Sequence, residues 1–130
     1  MRPLLAVFAG GLVGTSLRLT LDLALPHGPT EFPLSTLIIN LVGAFVLAVL
    51  VARLWPVAPA WARAGLGAGV LGSFTTFSAL TVAIVTLSND GLWMLALLFL
   101  SVSMVGGLAA AWLGLHVGRG PRARPDLVSE

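Results

Sequence analysis

Four long apolar stretches, each closed by a short polar or Pro/Gly-rich turn, set the pattern of this chain. They run about Pro3 to Leu25, Leu34 to Leu54, Ala64 to Leu87 and Gly91 to Val117. Crossing roughly 30 Å of hydrocarbon takes about 20 helical residues, so each stretch predicts a membrane-spanning helix. The connections 26–33, 55–59 and 88–90 are short and turn-forming, as antiparallel neighbours require. Trp55, Trp61, Trp93 and Trp112 fall near span ends, where an amphipathic indole prefers to lie. No internal repeat is visible; transporters built in one chain usually show one, whereas a four-helix chain must obtain its symmetry by oligomerising.

The third stretch carries an interruption, Gly72-Ser73-Phe74-Thr75-Thr76-Phe77-Ser78. The hydroxyls of Ser73, Thr75, Thr76, Ser78 and Thr81 compete for nearby helix carbonyls, and Gly72 lowers the resistance to a bend. The segment therefore predicts a helix broken at mid-membrane. Backbone groups freed there are tolerated only where they face protein or a polar path, which points to conduction or transport. Glycine pairs at GxxxG spacing, Gly10 with Gly14 and Gly65 with Gly69, predict close helix packing.

Composition narrows the class. Hydrophobic residues make up 58% of the 130 and charged residues 9%, too few to cover a water-soluble surface, so the expectation is an all-α integral membrane protein in contact with the lipid bilayer. A formal charge of +2 gives no electrostatic footprint for nucleic acid, and the absence of cysteine excludes a disulfide scaffold and a thiolate metal site. The first stretch lacks a charged leader and a small-residue cleavage site, so it is read as a retained helix. Residues 1–118 are read as one four-helix transmembrane domain and 119–130 as a flexible Arg/Pro-rich cytoplasmic tail. If the spans alternate, Arg2, Arg53, Arg63, Arg119, Arg122 and Arg124 share one side, six of the seven basic residues. Positive residues near span ends favour the cytoplasm, so both termini are expected inside.

Candidate chemistry is sparse. Asn40 stands among Leu37, Ile38, Ile39, Leu41 and Val42, and burying its carboxamide unpaired costs on the order of 1–3 kcal/mol. It is either a helix-to-helix hydrogen bond or a donor to an anion in a narrow pore. Arg18 lies four residues before Asp22, a spacing that pairs them along one helix face as a structural ion pair. Phe77 brings a ring whose positive edge can face an anion without the trapping of a full charge. Ser101 and Ser103 extend a polar track into the fourth span. A proton-coupled exporter of the small multidrug-resistance type needs a mid-membrane carboxylate, and Asp22 and Glu31 do not lie there. A non-conducting membrane subunit is the remaining alternative.

Three ordered segments make a family visible. Residues 10–18, Gly-Gly-Leu-Val-Gly-Thr-Ser-Leu-Arg, residues 36–45, Thr-Leu-Ile-Ile-Asn-Leu-Val-Gly-Ala-Phe, and residues 69–78, Gly-Val-Leu-Gly-Ser-Phe-Thr-Thr-Phe-Ser, resemble motifs of the CrcB/Fluc fluoride channels. The resemblance covers nearly everything before the tail. It implies a non-enzymatic, passive fluoride channel in a prokaryotic cell membrane, built as a dimer of oppositely oriented subunits with two pores. It also implies a structural sodium ion at the dimer centre, held by the backbone carbonyls of Gly72 and Thr75. By the same resemblance Asn40 and Phe77 line the fluoride path, with Ser78, Thr81 and Ser103 in its polar track. One position departs: the family pattern continues TTFS-x-Phe, and this chain has Leu80. A related second subunit, in place of a second copy of this chain, is one way to supply the missing ring.

Overall fold

The structure is a computed structural model that describes residues 1–120. Its regular elements are all helical: α1 (Arg2–Ala24), α2 (Leu34–Arg53), α3 (Ala60–Ala64), a π-helical turn (Gly65–Leu71), α4 (Gly72–Phe74), α5 (Phe77–Asn89) and α6 (Trp93–Arg119). Four helical stretches are long and apolar enough to cross a membrane, with Ala60–Asn89 counted as the third. The tail expected beyond Gly120, with Arg122 and Arg124, lies outside the described residues.

Proline and glycine mark the boundaries where the sequence places them. Pro3 sits in the first turn of α1, where its missing N–H has no intrahelical partner to lose. Pro33 is the residue before α2, and Pro59 the residue before α3. The third span starts at Ala60 rather than Ala64, because the chain after Pro59 turns directly into helix. Between α5 and α6 the chain reverses through Gly91, whose φ of 79° is a left-handed conformation that disfavours a side chain.

The spans pack as two pairs. α1 lies along the first half of the third span, and glycine makes the contact possible. A Cβ on Gly10 would meet the Gly65 carbonyl oxygen and lie 3.0 Å from the Val70 nitrogen. α2 lies along α6 in the same manner, with Gly118 close enough to Val49 and Ala52 that a Cβ would fall 2.8 Å from the Ala52 methyl. The expected GxxxG contacts of Gly10, Gly14, Gly65 and Gly69 thus all meet between α1 and the third span, and all four glycines are buried.

A small apolar cluster ties the pairs together. Leu37 of α2, Leu80 of α5 and Phe99 of α6 are buried against one another, with Phe32 edge-on to Phe99 at 5.4 Å between ring centroids. Elsewhere large apolar side chains such as Leu4, Phe8, Val82, Leu97 and Leu108 are exposed, as helices surrounded by lipid or another subunit require.

Candidate functional site

The third span is interrupted at Thr75 and Thr76, halfway along its 30 residues. Thr75 has ψ of 155° and Thr76 has φ of −146° and ψ of 121°, so both are extended between two helices. Gly72, the residue expected to ease a bend, remains helical with φ of −65° and ψ of −28°. The preceding turn over Gly65–Leu71 is π-helical, where the sequence pattern predicts ordinary helix; its run of Gly, Ala, Leu and one Val is compatible with either helical repeat.

Each threonine closes one helix end. Thr75 Oγ1 donates to the Leu71 carbonyl at 2.9 Å, and the Thr75 N–H reaches the same oxygen at 3.0 Å. Thr76 Oγ1 accepts from the Ala79 N–H at 3.1 Å and so caps the start of α5. The Thr76 N–H is left without a helical partner, and the Thr76 carbonyl, which starts the ladder of α5, has room for a second donor. Asn40 supplies both: its Nδ2 donates to the Thr76 carbonyl at 2.9 Å, and its Oδ1 accepts from the Thr76 N–H at 2.8 Å. The carboxamide therefore mimics a neighbouring strand for one residue of extended chain. An amide NH2 carries two hydrogens, so one N–H of Asn40 remains beyond this clamp.

A cleft of about 400 Å³ opens beside the break. It gathers Asn40, Gly72, Thr75, Phe77 and Ser103 of the expected site residues, together with Thr76 and Leu80. Phe77 is 74% exposed at its rim. The Ser103 hydroxyl is buried and, among the described residues, has no hydrogen-bond partner. Polar atoms of this kind inside an apolar wall are the feature that distinguishes the cleft from the glycine seams.

Other expected residues fall elsewhere. Ser78 and Thr81 lie exposed on α5 and do not line the cleft. Thr81 Oγ1 donates to the carbonyl of Phe77 at 2.7 Å, and Ser78 Oγ shares a 3.1 Å hydrogen bond with Thr76 Oγ1. Arg18 is half-buried and Asp22 exposed on α1, and no ion pair joins them among the described residues. Both lie toward the end of α1, where each long or short charged side chain can turn to the water at the interface instead of to its neighbour. Asp22 instead borders a second cleft of about 500 Å³ with His27 and Glu31. Leu80, read as a missing pore ring, is 3% exposed and belongs to the apolar cluster with Leu37 and Phe99 while also bordering the first cleft.

Two residues beside the break escaped attention as site residues. Thr76 is the clamped residue, and Gly43 receives the methyl of Thr75: a Cβ on Gly43 would collide with Thr75 Cγ2. Gly43 stands three residues after Asn40, which is the signal in the sequence that both belong to one face of α2.

Four apolar spans, a break in the third and an apolar cleft with a few polar groups at that break are, among the described residues, the features of a multi-pass membrane protein. A family model described as CrcB-like protein, Camphor Resistance (CrcB), matches residues 5–115, and the chain belongs to this family. Similar proteins carry the name fluoride-specific ion channel. FluC of Pseudomonas putida is 44% identical over 117 residues, 88% of this chain and 94% of that protein. FluC 1 of Bacillus cereus is 40% identical over 123 residues, 91% of this chain and 90% of that one. FluC 2 of Geobacillus kaustophilus is 39% identical over 114 residues, covering 85% and 88%.

Proposed function

We propose that the chain is a passive fluoride channel that lets the ion leave the cytoplasm down its electrochemical gradient. The observation that carries this reading is the cleft at the Thr75–Thr76 break, an apolar wall with a few polar groups set in it, in a chain whose relatives are named fluoride-specific channels. Around it stand an Asn40 N–H beyond the clamp, the unpartnered Ser103 hydroxyl and the exposed Phe77 ring. Donors and ring edges of this kind can replace the water shell of a small anion, and the narrowness of the path does the selecting. No bond is made or broken.

The working unit is proposed to be a dimer of oppositely oriented subunits with two fluoride paths. Phe77, Ser78 and Thr81 are exposed in the single chain, which leaves them for a second subunit to cover. A sodium ion at the dimer centre would be held by the Gly72 and Thr75 backbone carbonyls. The residues fit that assignment in chemistry: peptide carbonyls are hard, neutral oxygen donors, and Thr75 is extended, so its carbonyl leaves the helical ladder. Two such oxygens per chain would become four in a dimer, and the ion would supply the positive charge that carbonyl oxygens of this kind favour.

Orientation is proposed from charge. Arg2 begins α1, Arg53 ends α2, Arg63 lies in α3 and Arg119 ends α6, which with alternating spans puts all four on the side of both termini. Such a bias favours insertion with the termini in the cytoplasm of a prokaryotic cell, and an oppositely biased related subunit then completes the dimer. The proposed activity is tested by fluoride efflux from liposomes that contain the purified protein, alone and with such a partner, against chloride efflux as comparison. Fluoride is expected to leave much faster than chloride. Equal halide rates, or drug efflux driven by a proton gradient, would remove the reading.

A further inference from the structure

We propose that Asn40 and Gly43, one turn apart on α2, are positioning residues that together form the template on which the break in the third span is shaped. Asn40 takes both peptide groups of Thr76. Gly43 takes the side chain of Thr75, whose hydroxyl is already committed to the Leu71 carbonyl at 2.9 Å. That hydroxyl bond turns the threonine methyl toward Gly43, where a Cβ would collide with it. The two non-helical residues are therefore each seated on α2, one by hydrogen bonds and one by the absence of a side chain.

Neither contact needs an ion. Gly43 has no side chain that could ligate fluoride, but it borders the cleft, so an effect through Thr75 is told from a methyl that merely narrows the cleft by whether removing the Thr75 methyl reverses it. A methyl at position 43 pushes Thr75 away from α2 and carries Thr76 with it, which stretches both bonds to the Asn40 carboxamide. The remaining neighbours of that methyl are ordinary contacts, Phe74 Cδ1 at 3.5 Å and Thr75 Cβ at 3.6 Å. Removing the Thr75 methyl should accordingly make room for it. The template role rests on the fluoride-channel reading where it concerns flux, and is independent of that reading where it concerns the geometry of the break.

The test is a double-substitution cycle with two readouts. Gly43→Ala, Thr75→Ser and the double variant are compared with the unaltered protein for fluoride efflux per folded protein in liposomes. Thr75→Ser keeps the hydroxyl and the carbonyl, and its own flux, whatever its level, is the reference for the double variant. Gly43→Ala should lose about tenfold or more in flux, the rate equivalent of forcing a methylene into a filled site. The double variant should return to within about threefold of Thr75→Ser, because removing the Thr75 methyl removes the atom that the new methyl would meet, a coupling the cycle reads directly. The second readout uses the fact that the chain holds two asparagines, Asn40 and the exposed Asn89. In protein labelled with 15N-asparagine, the Asn40 side-chain amide should exchange its hydrogens slowly, exchange faster in Gly43→Ala and slow again in the double variant. Should Gly43→Ala fail to fold, the double variant is expected to fold. A double variant as poor as Gly43→Ala in either readout, or as unable to fold, overturns the template, as does unchanged amide exchange in Gly43→Ala. If the unaltered protein carries no fluoride, the channel reading falls, and the exchange measurement still decides the template.

Discussion

Along its first half the third span lies against α1 with glycine on both sides, whereas at its middle it is gripped from α2 by a single carboxamide. The seam with α1 brings backbones together: a Cβ on Gly69 would lie 2.9 Å from the Val7 carbonyl oxygen and 3.1 Å from Gly10 Cα. Such contacts are gained by dispersion and close approach, and they tolerate only one separation. The contact with α2 is directional and sits where the helix is open, so it chooses a backbone conformation rather than a distance. Small residues serve both regions, but at the seam they let two helices touch and at Gly43 they leave space for a threonine. Stability should therefore respond mainly to the seam, and conduction mainly to the break.

That contrast is broken most severely by a side chain at the seam. A Cβ on Gly14 would meet the Val70 carbonyl and lie 3.1 Å from the Phe74 nitrogen, all of it backbone that cannot rotate away. Gly14→Val is expected to cost at least about 1–3 kcal/mol of stability and to leave little folded protein, as measured by thermal unfolding in detergent. Folding at the level of the unaltered chain would show that the seam is looser than these distances imply.

A smaller effect on folding, with a larger one on flux, is expected for Asn40→Ala. The change leaves the Thr76 N–H and carbonyl without their side-chain partner, at about 1–3 kcal/mol by soluble-protein values and less if water in the cleft replaces the amide. Fluoride efflux per folded protein should fall further than the folded amount does. Loss of folded protein with full flux in the remainder would place Asn40 with the seam glycines, as a fastening only.

The two regions were legible in the sequence to different degrees, for physical reasons. Glycine spacing along Gly10, Gly14, Gly65 and Gly69 names a seam because close helix approach needs small residues at a helical repeat, and nothing else has to be known. An interruption near Thr75 was legible because adjacent hydroxyls and glycine weaken helix locally. Its placement three residues beyond Gly72 was not, since it depends on Thr75 and Thr76 capping opposite helix ends. The partner of Asn40 was out of reach because it is a backbone group 36 residues away, and any extended residue would have served it equally well. Leu80 was legible as a departure from the family's ring position, and the structure adds that its side chain packs with Leu37 and Phe99 while also bordering the cleft.

The comparison is sharpened by the residue whose effect on folding should be smallest. Phe77 is 74% exposed in the single chain and packs into neither the glycine seam nor the apolar cluster, so Phe77→Ile should change the stability of the subunit fold, as distinct from its packing on a second subunit, by no more than about 0.5 kcal/mol. If the cleft at the break is the ion path, its ring edge is part of the wall the ion passes. Fluoride efflux from liposomes containing matched amounts of folded Phe77→Ile and unaltered protein puts that claim to the most direct trial. The account predicts near-complete loss of fluoride flux with folding intact, and undiminished flux in the variant would contradict it.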